Sequence, residues 1–342
     1  MSGPASAYLQ NYLEPLADYM ARRDITDIYV NRPGELWLET VAGGIERLSA
    51  PELTAKALDR LARQVAAFSH QGVSREHPIL SASLPDGARI QIVVPPATRG
   101  SVAMAIRKHL VMDRNLADYA SDGSFSDMFG GPTDCELSQT LQVEGAATML
   151  ALAVRQRRNI LISGGTSTGK STFLNALLRE IPDDERLILI EDTPELQLRH
   201  ENAVGLLAPR NRLGESLASS DDLLNASLRM RPDRIILGEI RGSEAFTFLR
   251  AVNTGHPGSM STIHADSPER AIEQLALLVL QTGTQLKRED VVSYVGSVID
   301  IFVQLERHHG VRRISEVRLN RRLIDAPDQT PSPVRLHSGR RA

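Results

Sequence analysis

The stretch GGTSTGKST, Gly164 to Thr172, satisfies the spacing GxxxxGK[ST] through Gly164, Gly169, Lys170 and Ser171. An apolar run, NILIS, precedes it, and STFLNALLREI follows with the pattern of a helix. Glycines admit the dihedrals that turn consecutive amides inward on phosphate oxygens, and the helix N-terminus adds its positive dipole end. Gly164, Gly165, Thr166, Ser167, Thr168, Gly169, Lys170, Ser171 and Thr172 therefore form a candidate nucleotide-binding loop. In it Lys170 reaches the β and γ phosphates and Ser171 ligates magnesium.

Hydrolysis also needs a metal between the β and γ phosphates and a group that orients or deprotonates water. The run RIILGEIRG, residues 234 to 242, carries Leu237 and Gly238 where a magnesium-holding aspartate usually stands, and its acid arrives only at Glu239. Just past the strand end, Glu239 is placed to handle the water. Glu191, ending the apolar run of LILIEDTPEL, is placed to complete the magnesium shell directly or through water, with Asp192 beside it. The same acids could instead be solvated strand ends, or ion pairs with Arg241 and Arg199. In GHPGSMSTIHA, His264 follows an apolar run and is expected to bond the γ phosphate and report its presence, whereas His256, before Pro257 and Gly258, is expected to hold a loop.

These residues need a scaffold that brings strand ends together. From residue 138 to 325 short apolar runs alternate with helical patterns, which predicts an α/β unit with a mostly parallel sheet. Such sheets place ligands beyond the carboxyl ends of their strands, so the four runs NILIS, LILI, RIIL and SMSTI could converge on one site. Residues 1–112 read as a smaller α+β domain. There TDIYV and LWLE flank turn residues 31 to 34, ARIQIVV and SVAMAIR lie on either side of Pro95 and Pro96, and a helix is expected from Ser49. Its expected signature is a capping-box pair, Ser49 and Glu52, with Leu58, Leu61, Val65 and Phe68 on one face. Residues 113–137 show neither period and read as a long linker, one that would let the first domain pack on a neighbouring subunit. The segment 326–342, rich in Pro, Ser and Arg, reads as disordered.

A chain of 342 residues suits two domains, and a net charge of -3 with 4% aromatics argues against a dedicated nucleic-acid binder. The lone Cys135 excludes an internal disulfide framework and a zinc site of paired cysteines. The first twenty residues lack a secretory signal, and no run approaches the ~18 apolar residues of a membrane span. A cytoplasmic protein with at most peripheral membrane contact is expected.

In order and spacing, GGTSTGKST, LILIEDTPEL, LRMRPDRIILGEIRG and GHPGSMSTIHA resemble the four signature boxes of the secretion traffic ATPases, which serve type IV secretion and conjugation, type II secretion and type IV pili. The resemblance is strong over about residues 140 to 320 and continues through DITDIYVNRPGELWLE, which is similar to the first domain of the type IV secretion and conjugative branch. Two features favour that branch: the first domain begins almost at residue 1, and a four-cysteine metal insertion is missing. The resemblance implies a RecA-like P-loop domain behind a smaller first domain and a homohexameric ring. It also implies ATP and Mg2+ as cofactors, and other secretion-machine components at the inner membrane as partners. It makes Arg107 in AIRKH a candidate stabiliser of phosphate charge, and raises Arg229, Arg231 and Arg234 as residues that could act across a subunit boundary. Three other readings stay open. They are a pilus or tight-adherence motor, a nucleic-acid translocase, and a scaffold in which ATP assembles a ring and hydrolysis is incidental.

Overall fold

The computed structural model describes residues 4–109, 134–208, 216–309 and 311–320. The expected linker, apart from its last four residues, and the expected disordered segment 326–342 lie outside the described residues.

The first unit is built from helix α1 (Pro4–Ala21), strands β1 (Ile25–Val30), β2 (Gly34–Thr40) and β3 (Ile45–Ala50), helix α2 (Ala55–Phe68), and strands β4 (Ile79–Ser83), β5 (Arg89–Val93) and β6 (Ala103–Arg107). The strands form one antiparallel sheet in the order β3-β2-β1-β6-β5-β4. Side chains alternate across it. Ile28, Val30, Leu36, Leu38, Met104 and Ile106 are buried with α1 and α2, while Tyr29, Trp37 and Ala105 on the opposite face join the core of the second unit. That double burial explains why these strands are apolar on both faces.

Helix α2 begins later than the capping-box pattern predicts. Ser49 pairs with Glu35 in the β2-β3 ladder, so its backbone is committed to a strand, and Thr54 is the cap, accepting from the Ala57 amide at 3.2 Å. The expected face of the helix is present: Leu58, Leu61 and Val65 are buried and Phe68 packs against the same core.

The second unit opens with α3 (Asp134–Val143) and α4 (Ala146–Arg155). Residues 134–137 are thus helix and not linker, because Leu137 is fully buried against Met149 and Leu150 and Leu141 packs one turn further on. There follow β7 (Ile160–Gly164), α5 (Lys170–Leu178), β8 (Leu187–Glu191), β9 (Ala203–Leu207), α6 (Ser220–Ser227), β10 (Arg234–Ile240), α7 (Glu244–Asn253), β11 (Met260–Ile263), α8 (Pro268–Leu280), α9 (Arg288–Val298), β12 (Ile301–His308) and β13 (Val311–Leu319). Its sheet runs β13-β12-β7-β11-β10-β8-β9, parallel throughout except for the β12-β13 hairpin. Ile160, Ile162, Leu187, Leu189 and Ile236 pack under α4 and α5, and Leu161, Ile188, Ile190, Ile235 and Leu237 pack under α6 to α9. Burial on both faces is why these strands read as unbroken apolar runs.

The two units meet over the far face of the first sheet. Arg186, fully buried, stacks at 4.0 Å on the Tyr29 ring and donates at 2.7 Å to Asn31 Oδ1, and Asn31 in turn donates at 3.0 Å to Asn202. Arg231 adds a 2.7 Å ion pair with Glu39. Among the described residues no helix is long and apolar enough to cross a membrane.

Candidate active site

Strands β7, β11, β10 and β8 are consecutive neighbours, and their carboxyl ends carry Gly164, His264, Glu239 and Glu191. The sheet order therefore converges the motifs on one edge, with the histidine strand between the phosphate loop and the Glu239 strand.

The loop between β7 and α5 has the conformation its composition calls for. Gly169, which precedes the helix, has φ 94°, and a β-carbon on Gly164 would lie 2.5 Å from Thr168 Oγ1 and 2.8 Å from the Leu305 carbonyl. Thr168 closes the loop by donating to the Gly165 carbonyl at 2.9 Å. Lys170 Nζ turns back into this cradle, donating to the carbonyls of Gly164 and Gly165 at 3.0 and 3.2 Å. Burial holds its pKa below the ordinary lysine range, against the opposing pull of Glu239.

Three of the predicted catalytic side chains meet here. His264 Nε2 lies 2.8 Å from Glu239 Oε1, and Lys170 Nζ lies 3.4 Å from His264 Nδ1 and 3.8 Å from the same Glu239 oxygen. The other Glu239 oxygen pairs with Arg241, which also reaches Asp192 at 3.2 Å. The ion pair with Arg241 anticipated as an alternative thus coexists with placement at the loop. Ser171, Asp192, Thr193, Glu195 and Glu239 line the small cleft beside α5. These oxygens suit a hard cation that keeps several waters and shares phosphate ligands, as magnesium does. The described residues hold no group of three or more His, Cys, Asp and Glu side chains that would cage a metal unaided.

Glu191 reaches the cleft in a different pose from the one its position suggests. Its Oε1 accepts from the amides of Glu195 and Leu196 at 2.9 and 2.8 Å, and its Oε2 pairs with Arg99 of the first domain. Oε1 is thus hydrogen-bonded to the backbone, while Oε2 faces a guanidinium as an ion pair. The side chain passes over Gly238, where a β-carbon would stand 2.9 Å from Glu191 Cγ. Glycine occupies the usual aspartate position because the neighbouring strand's glutamate fills that space.

Arg107 is not brought to the loop of its own chain. It lies 4.0 Å from Asp27, two-thirds exposed, in a cleft between the two units that Arg89, Arg229 and Arg231 also line. Arg234 is buried within its own domain, donating to Glu185 at 2.6 Å through two nitrogens and to the Val154 carbonyl at 2.7 Å, so it cannot act across a boundary. His256 holds its loop, with Nδ1 3.0 Å from the Ala251 carbonyl. The residue that the sequence reading missed is Arg99, which in sequence is only an arginine four residues after Pro95.

A parallel sheet whose strand ends present a glycine-rich loop, a buried lysine, a histidine and a carboxylate defines a P-loop nucleotide hydrolase. The model of the type II/IV secretion system protein family matches residues 10–308. The chain belongs to that family. The type IV secretion system protein VirB11 of Bartonella henselae is 37% identical over 336 residues, covering 93% of this chain and 94% of the relative. VirB11 of Brucella suis is 40% identical over 328 residues, covering 91% and 90%. The crystal structure of the VirB11 ATPase from the Brucella suis type IV secretion system, in complex with sulphate, matches with a TM-score of 0.86 at 38% identity and covers 93% of this chain and 96% of that one. The expected fold, a P-loop ATPase domain behind a smaller α+β domain, is the one observed. The chain is an ATPase of the type IV secretion class, with ATP hydrolysis as its activity and a secretion machine as its setting.

Proposed function

We propose that the chain works as a magnesium-dependent homohexameric ring, at the cytoplasmic face of the inner membrane, that powers assembly of a type IV secretion system or transfer of substrate through it. The meeting of Lys170, His264 and Glu239 at the end of the phosphate loop carries the reading, since it joins phosphate binding, γ-phosphate sensing and water activation within 4 Å.

Lys170 leaves its loop carbonyls for the β and γ phosphates, where triphosphate charge replaces two neutral acceptors. Glu239 orients and deprotonates the attacking water, and His264, 2.8 Å from it, registers whether the γ phosphate is present. Ser171 would hold magnesium, with Asp192 and Glu239 in reach of its waters, and the metal would supply charge neutralisation between the β and γ phosphates. Glu191 would contribute to that shell, directly or through water, on parting from Arg99. Arg107 serves phosphates bound by a neighbouring chain, because the cleft it lines includes no residue of its own phosphate loop. The crystal of the Brucella suis relative contains sulphate, an anion of the kind this loop is built to receive.

The test is the steady-state ATPase rate per subunit, measured with magnesium over a wide range of protein concentration, with Lys170→Ala as the inactive reference. A rate that climbs and levels with concentration supports an oligomeric active species. A flat rate from particles that sizing shows to be monomeric would overturn the ring.

A further inference from the structure

Residues 97–99 of the first domain run along the outer edge of β9. The Leu207 amide donates to the Ala97 carbonyl and the Arg99 amide to the Gly205 carbonyl, both at 2.9 Å, with Thr98 opposite Leu206 in an antiparallel bridge. The first domain thereby caps a sheet edge that would otherwise expose unpaired backbone groups.

From this edge the Arg99 side chain crosses β9 into the second domain. Gly205 gives it passage, since a β-carbon there would lie 2.5 Å from Arg99 Cδ. Arg99 Nη1 donates to the Leu196 carbonyl at 2.8 Å and Nη2 pairs with Glu191 Oε2, while Glu191 Oε1 holds the amides of Glu195 and Leu196. The result is a ring of contacts around the turn 191–196, three hydrogen bonds and one ion pair, with its cation drawn from the other domain. The Glu191 side chain is only 3% exposed. A carboxylate this buried is strongly disfavoured without a cation beside it, so its pose depends on the first domain being seated.

We propose that Arg99 is a positioning residue that couples the seating of the first domain to the conformation of the turn 191–196. When the domain lifts from β9, Glu191 loses its counter-charge, and the turn that lines the nucleotide cleft loosens. When the domain seats, the turn sets. The effect on turnover rests on the ATPase reading above, whereas the coupling itself does not.

Hydrogen exchange on the full chain without nucleotide tests the coupling. In Arg99→Ala, peptides covering 192–198 should exchange roughly ten- to hundredfold faster, as loss of charge-assisted bonds implies, while those of α5 stay at the wild-type rate. Gly205→Ala should do the same by displacing Arg99 without removing its charge, and it decides the matter if Arg99→Ala does not fold. Unchanged protection of 192–198 in a folded variant would overturn the proposal. In turnover, kcat should fall with the KM for ATP nearly constant, and Arg99→Lys should restore part of kcat. A rise in KM at constant kcat would mean that Arg99 contacts nucleotide directly, and would also overturn it. If the wild-type chain hydrolyses no ATP, the exchange measurement still decides the coupling.

Discussion

A β-carbon on Gly238 would stand 2.9 Å from Glu191 Cγ. The glycine in β10 and the glutamate ending β8 are one arrangement shared by two parallel strands, in which one supplies the space and the other the carboxylate. Gly238→Ala should push Glu191 off the Glu195 and Leu196 amides and lower kcat by roughly one to two orders of magnitude, as small displacements in a positioned site do. Gly238→Asp should not rescue activity, because its carboxylate competes for the same volume. Circular dichroism and ATPase assays check both, and a folded Gly238→Ala protein with wild-type kcat would refute the packing argument.

Glu239 and His264 touch at 2.8 Å, so their variants should separate two roles. Glu239→Gln keeps the shape but cannot take a proton, and kcat should fall by roughly 10²- to 10⁴-fold while ATP still binds. His264→Ala should lower kcat less and narrow the difference between ATP and ADP affinity, since the contact that registers the γ phosphate is gone. Equilibrium titration with a fluorescent nucleotide beside turnover measures both. Equal loss of binding in the two variants would assign them to the cradle and not to the chemistry.

Much of this site was legible in sequence because its parts are local. A glycine-rich loop between an apolar run and a helix, and three further apolar runs each ending in polar chemistry, specify parallel strands with functional carboxyl ends. The surroundings of Glu191 were not legible. Its cation, Arg99, lies ninety-two positions earlier on another domain and reaches it across a glycine in β9, a relationship that no periodicity encodes. Arg234 misled for the opposite reason. A third arginine in LRMRPDR looks like surface chemistry until Glu185 is found on the neighbouring segment to bury it. The start of α2 was misplaced because Ser49 and Glu52 have capping spacing, but the β2-β3 ladder claims Ser49 first.

Asp27 offers a pH signature. Burial, followed by the nearby Glu39 charge, raises its pKa, and Arg107 only partly offsets this. The folded chain therefore binds this proton more tightly than the unfolded chain does. Stability from this group is highest below the ordinary aspartate range and declines as pH rises through that range to the raised folded value. Asp27→Asn should accordingly have a higher Tm than wild type at about pH 7, with the gap shrinking as pH falls below the raised value. Melting curves across this range check the sign, and a variant less stable than wild type at neutral pH would show that the Asp27 charge is favourable where it sits.

Arg107 supplies a test of whether a site is shared between chains. Its cleft, lined also by Arg89, Arg229, Arg231 and Asp27, includes no residue of the phosphate loop of its own chain. If these guanidiniums meet phosphates held by a neighbour, Arg107→Ala and Glu239→Gln are damaged in different halves of a composite site. Each alone should be nearly inactive. Mixed under conditions that allow exchange of subunits, they should recover activity, because some sites then pair an intact Glu239 with an intact Arg107 from the adjoining chain. For random assembly with head-to-tail interfaces, about a quarter of the sites are complete. If Arg107 instead serves its own chain, every site with an intact Glu239 lacks the arginine, and mixing restores nothing. Activity of the mixture against the mean of its components thus separates the two arrangements, provided that mass analysis of tagged subunits confirms exchange.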